Sequence, residues 1–74
     1  MEPTEADDFE RAAELAYSAM YEARRPKEFY EDAMLAFHRA IDAAIRAGLA
    51  GKAARLAERR DHVRAVYDKQ FRWL

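Results

Sequence analysis

The longest regular pattern of apolar and polar positions in this sequence runs from residue 29 to residue 45. Large apolar side chains recur there at three- and four-residue spacing, which places them on one stripe of an α-helix. That stripe consists of Tyr30, Met34, Phe37, Ile41, Ala44 and Ile45. A second stripe, roughly a quarter to a third of a turn away, holds only the alanines Ala36, Ala40, Ala43 and Ala47. The pattern predicts a central helix with two faces on which other helices can pack.

Local signals set the ends of this helix and of its neighbours. The first helix is expected to begin near residue 5, because Thr4 and Asp7 have the spacing of a capping box, and to end before Pro26. The second is expected to end at Ala47, since Gly48 can take the left-handed conformation that closes a helix. We therefore predict an all-α, three-helix antiparallel bundle, with helices over about residues 5–24, 27–47 and 50–74 of a single domain.

The third helix has two polar interruptions. Its apolar stripe, Leu49, Ala53, Leu56, Val63, Tyr67 and Leu74, also contains Arg60 and Gln70. Either the arginine stem packs while its head reaches water, or the seam between the helices is open at this point. No capping residue follows the last turn, so we expect the 74 residues to be the N-terminal part of a longer protein.

Composition and charge narrow the class of protein. The chain has no cysteine, its two histidines lie on different segments without ligand-like neighbours, and no apolar run is long enough to span a bilayer. We therefore expect a cytoplasmic protein without metal or cofactor. The net charge is −1, but residues 2 to 10 carry five acids and no base, whereas residues 52 to 74 carry seven bases and three acids. This asymmetry is a first indication about partners.

The sequence offers little for catalysis. Ser18 is its only serine, and the segment Gly48-Leu49-Ala50-Gly51-Lys52 lacks the spacing and the following Ser/Thr of a phosphate-binding loop. We predict that the protein is not an enzyme and has no small-molecule substrate. A helix-turn-helix-like nucleic-acid or membrane-contact domain remains an alternative. We do not expect nucleic acid to be the partner, because Glu58 and Asp61 offset the bases of the third helix.

Several segments resemble a MIT (microtubule interacting and trafficking) domain. The second helix opens with Tyr30-Glu31-Asp32-Ala33-Met34, similar to the aromatic, two acids, alanine and aliphatic residue that commonly open it in this family. The range from Phe37 to Ile41 is similar to the next part of the family's second helix, where an aromatic residue precedes an alanine with an aliphatic residue. The pairs Leu15-Ala16 and Ala19-Met20 are similar to those of the family's first helix. The end of the third helix, from His62 to Trp73, is similar to the MIT domain of the accessory subunit in the autophagy phosphatidylinositol-3-kinase complex.

The resemblance implies a non-catalytic module that binds short peptide motifs, such as ESCRT-III tails, between its helices. Such a module would tether its host protein to endosomal membrane-trafficking machinery, or alternatively to an autophagy complex. Recruitment to endosomal or autophagic membranes would then occur through the partner. The candidate peptide-binding residues are Ala36, Ala40, Ala43, Ala47, Ala57, Arg60, Arg64 and Tyr67. The open question at this point is whether the alanine stripe is free for a ligand or covered by the first helix.

Overall fold

The computed structural model describes residues 4–73 and contains three α-helices followed by one π-helical turn. Helix α1 spans Glu5–Met20, α2 spans Pro26–Arg46, α3 spans Ala50–Val66, and the π-helix spans Tyr67–Phe71. Neighbouring helices run antiparallel, so α1 and α3 are parallel, and no strand occurs within the described range. The predicted all-α, three-helix bundle is confirmed.

The local signals at two helix ends act as predicted. Thr4 and Asp7 form a reciprocal capping box, in which each side chain accepts a hydrogen bond from the backbone N–H of the other. Gly48 has a φ of 76°, its N–H donates to the carbonyl of Ile45, and the N–H of Leu49 donates to that of Ala44 at 2.8 Å. These two bonds are the Schellman ending that the sequence predicts.

Two predicted boundaries are wrong. Helix α1 ends at Met20 rather than near residue 24, because the next N–H groups bond three residues back and tighten the last turn. Residues 21–25 then form the connection to Pro26, whose ring disfavours a helical conformation at Arg25. The third helix does not continue as an α-helix beyond Val66, and Leu74 of its predicted stripe lies outside the described residues.

The π-helix changes which residue faces inward at the end of the third helix. The N–H of Arg72 donates to the carbonyl of Tyr67 at 2.9 Å, a bond five residues long that inserts an extra residue into the turn. Gln70, which an uninterrupted α-helix would direct inward, is exposed, and Phe71 is partly buried in its place. The Phe71 ring packs edge-on against Tyr21 with centroids 5.0 Å apart. Because of the wider turn, Gln70 faces solvent and does not interrupt the apolar side of the helix.

The core lies between the three helices and is centred on α2. Its largest fully buried side chains are Phe37, Met20, Leu56 and Val63. The backbones of α1 and α2 approach each other along more of their length than any other pair, because alanines line the contact on both helices. Methyl side chains such as those of Ala13 and Ala40 permit this close approach without loss of helix propensity.

Long charged side chains, instead of a close backbone contact, connect α1 to α3. We call this row of ion pairs the acid–base seam. Lys52 donates to both Asp7 and Glu10, and Arg59 donates two hydrogen bonds of 2.8 and 2.9 Å to Glu14. The Arg59 guanidinium also lies 5.2 Å from the centre of the Tyr17 ring. A bidentate arginine–carboxylate pair is stronger than an ordinary surface ion pair, so the seam holds the two parallel helices together.

The seam predicts a loss of stability in acid. The hydrogen bond from Lys52, together with the bond from the Thr4 N–H, lowers the pKa of Asp7 from 3.8 to about 2. Since the folded pKa lies below the unfolded one, the contribution of Asp7 is present above pH 3.8 and is lost as the pH falls through about 2. Urea unfolding of the wild type should therefore show a falling midpoint over this range, and Asp7→Asn should flatten that fall.

Asp8→Asn is the matched control, because Asp8 is exposed in the same helical turn and forms no ion pair within residues 4–73. If Asp7→Asn and Asp8→Asn alter the acid dependence equally, Asp7 has no special role in the seam.

Candidate functional site

The eight predicted site residues do not form one surface. Ala40 is fully buried and Ala43 is 7% exposed, so neither offers a surface to a ligand in this conformation. Ala36 is partly buried, and Ala47 is exposed at the C-terminal end of α2. The four residues of the third helix, Ala57, Arg60, Arg64 and Tyr67, are partly or fully accessible. The buried alanines Ala40 and Ala43 therefore have to be considered apart from the accessible residues of the predicted site.

One aromatic contact shows which side of α2 faces which helix. The rings of Tyr30 and Tyr67 stack with centroids 3.9 Å apart and planes 10° from parallel, so the Tyr30 side of α2 faces the third helix. The alanine stripe lies on the other side of the Phe37 position, where α1 is the neighbour. We infer that α1 covers the middle of the alanine stripe, at the buried Ala40 and Ala43, whereas Ala47 is exposed. For these two residues the second of the two alternatives left open by the sequence applies.

The surface that remains lies between α2 and α3. On α2 it is bordered by Met34, His38, Ile41 and Ile45, which follow one another at four- and three-residue intervals. On α3 it is bordered by Ala53, Ala57, Arg60 and Arg64, at the same intervals. Because the two helices are antiparallel, these rows run side by side along the bundle. We call this surface the α2/α3 groove.

The groove has an apolar floor and a polar rim. Met34 (9% exposed) and Ala53 are buried, Ile41, Ala57 and Arg60 are partly exposed, and His38, Ile45 (61%) and Arg64 are exposed. Ala57 has only a methyl side chain, and the stacked Tyr30–Tyr67 pair lies at one end. Such a surface can take an apolar side of a ligand on the floor and acidic groups along the rim.

Sequence reasoning missed three groove residues on α2, namely Met34, His38 and Ile41, together with the rim residue Ile45. The signal was present, since Met34, Ile41 and Ile45 lie on the stripe of large apolar residues. That stripe was assigned wholly to the core, and periodicity cannot distinguish a buried position from one at the edge of an interface.

Arg60 lies at the edge of the core, and its side chain is 25% exposed. Its guanidinium is 3.1 Å from the carboxylate of Asp61, whose side chain is 62% exposed. The stem therefore packs while the head reaches a solvated partner, as in the first of the two interpretations given above.

The described part of the chain has few other candidate sites for chemistry. No group of three or more His, Cys, Asp or Glu side chains within residues 4–73 is arranged to hold a metal ion. In the same range, each helix is too short or too polar to cross a lipid bilayer.

No protein-family model matches the chain, and no curated protein or solved structure matches it either. The resemblance to MIT domains therefore stays a prediction from the sequence.

Ala43→Asp should unfold the domain, because it places a carboxylate without a partner between α1 and α2. An uncompensated buried charge costs about 3 to 5 kcal/mol, a large share of the roughly 4 to 11 kcal/mol expected for a domain of this size. Thermal melting followed by circular dichroism would measure the loss. Ala54→Asp, on the exposed side of α3, is the control for the substitution itself and should melt close to the wild type. If Ala43→Asp melted like the wild type, the alanine stripe would not be covered by α1 at this position.

Arg60→Leu should leave the melting temperature unchanged or raise it. The substitution removes a charge from the core edge, and the remaining Asp61 carboxylate is solvated, so no buried charge is left without a partner. Asp61→Asn serves as the control for the lost ion pair. A loss of stability above about 2 kcal/mol in Arg60→Leu would show that the pair supports the fold.

Proposed function

We propose that this domain is a non-catalytic protein-interaction module that binds an amphipathic helical peptide in the α2/α3 groove. The observation that supports this proposal is the combination of an accessible apolar row on α2 with arginines on the opposite wall. A ligand helix would place its aliphatic residues against Ile41, Ile45 and Ala57. Its acidic residues would meet Arg60 and Arg64.

The affinity expected for such a ligand is that of a transient contact. Each leucine buried by the ligand would contribute about 1.5 to 3 kcal/mol before the cost of ordering the peptide. Two or three such residues correspond to a dissociation constant on the order of micromolar. The arginines on the rim would raise the association rate and fix the orientation of the ligand more than they raise affinity.

The resemblance of the helices to MIT domains supports a more specific form of the proposal. The ligand would be the tail of an ESCRT-III subunit, and the domain would bring its host protein to endosomal membranes. The likeness at residues 62–73 supports a second form, in which the host is the accessory subunit of an autophagy phosphatidylinositol-3-kinase complex.

Nucleic-acid binding is less well supported, because much of the basic charge of α3 is already used inside the molecule. Lys52, Arg55 and Arg59 all face carboxylates of α1 in the acid–base seam. Bases that are paired within the fold release fewer counterions from a phosphate backbone than free ones.

Ile45→Ser should weaken the binding of a synthetic ESCRT-III tail peptide by at least about tenfold, since it removes the most exposed apolar side chain of the groove. Isothermal titration calorimetry would measure the affinity. Leu15→Ser is the matched control, because Leu15 is similarly exposed but lies on the outer side of α1, away from the groove.

The two variants separate the outcomes. If both melt like the wild type and only Ile45→Ser loses affinity, the groove is the binding site. If Ile45→Ser binds like the wild type, the proposed site is wrong.

A further inference from the structure

A pocket of about 370 Å³ lies at the end of the bundle where α2 begins. One wall is the segment 24–28, which comprises the end of the α1–α2 connection and the first turn of α2. The other wall is formed by Tyr67, Phe71 and Arg72 of the π-helix and the residue after it. Neither the fold nor the proposed peptide groove requires this pocket.

The pocket has more cations than acids among the residues that the structure describes. Its described lining contains the cations Arg24, Arg25, Lys27 and Arg72 and one carboxylate, Glu28, so the formal charge of that lining is +3 before the flanking acids Glu31 and Asp68 are counted. Three of the cations have carboxylate neighbours, but at 3.9 to 4.0 Å and between well-exposed side chains. Ion pairs of that kind contribute little, so an incoming anion can replace them at small cost.

The start of α2 adds to this field. The 21-residue helix begins with Pro26 after Arg25, whose side chain makes no capping hydrogen bond. The positive end of the helix dipole therefore lies in the pocket wall, together with the first-turn residues Lys27 and Glu28. Four cationic residues and a helix N-terminus thus line one cavity.

We propose that this pocket binds a phosphomonoester. Such a group carries about −1.5 to −2 charges at pH 7 and three strong acceptor oxygens, which suits several converging cations better than a singly charged carboxylate. Arginine offers paired N–H donors in the geometry that phosphate accepts. The aromatic wall of Tyr67 and Phe71 leaves an apolar surface for the carbon skeleton to which the phosphate is attached.

The test is a titration of the isotope-labelled domain with phenyl phosphate, followed by backbone amide chemical shifts. Saturable shifts are expected at residues 24–28 and 67–72. The double variant Arg25→Gln/Lys27→Gln should weaken the affinity by at least about tenfold, because two charge-assisted contacts are lost. Glu28→Gln should strengthen it, since it removes the one carboxylate that the lining contains among residues 4–73.

The control variant Arg39→Gln/Arg46→Gln removes the same charge from exposed positions of α2 outside the pocket lining. It should bind phenyl phosphate like the wild type. Equal weakening in the two double variants would overturn the proposal, because it would show a response to net charge alone. Benzoate that bound as tightly as phenyl phosphate would also overturn it.

Two further samples identify the source of the phosphate. Vesicles of phosphatidylcholine with phosphatidic acid carry a phosphomonoester headgroup, and vesicles with phosphatidylserine match their negative charge without one. Binding to the first vesicles alone would support the proposal with a lipid ligand. Binding of phenyl phosphate without binding to either vesicle would support it with a soluble ligand. Peptide binding in the α2/α3 groove is measured separately, so either proposal can fail alone.

Discussion

The close contact of α1 with α2 is the constraint on which the rest of the bundle depends. Alanines on both helices, among them Ala13, Ala33 and Ala40, are fully buried there and bring the backbones near each other. Small residues of α2 form the close contact on this side. The large side chains of α2, with Phe37 at the centre, lie nearer to α3. The composition of the α2/α3 groove is thus a consequence of the alanine contact on the opposite side.

The third helix packs mainly on α2, so its connection to α1 has to span a wider gap. Asp7, Glu10 and Glu14 on α1 have the same three- and four-residue spacing as Lys52, Arg55 and Arg59 on α3. Parallel helices keep such rows in register, which lets each acid meet a base. Part of the charge asymmetry seen in the sequence is therefore used in an internal contact and not for partners. Bases outside the seam, such as Arg64 in α3 and Arg72 after the π-helix, remain for ligands.

How much of the fold the sequence predicts depends on whether the residues that determine each feature are close neighbours in the chain. The capping box of Thr4 and Asp7 and the left-handed Gly48 act within a few residues, so their effect could be read from the sequence. The side of α2 that each neighbour covers could not, because an alanine stripe is compatible with an open trough and with a close helix contact. The π-helix was missed for a similar reason, since helical periodicity contains no signal for the contact of Phe71 with Tyr21 that accompanies it.

The π-helix also determines which residues meet at the end of the bundle. In a continuous α-helix the inward position near residue 70 would fall to Gln70, and Phe71 would point away from Tyr21 by roughly a quarter of a turn. The extra residue in the turn instead brings Phe71 against Tyr21, just after the end of α1, and leaves Arg72 beside the start of α2. Tyr67, at the first position of this turn, stacks on Tyr30 and also lines the basic pocket. One irregular turn thus packs Phe71 against Tyr21 and places Phe71 and Arg72 in the wall of a charged cavity.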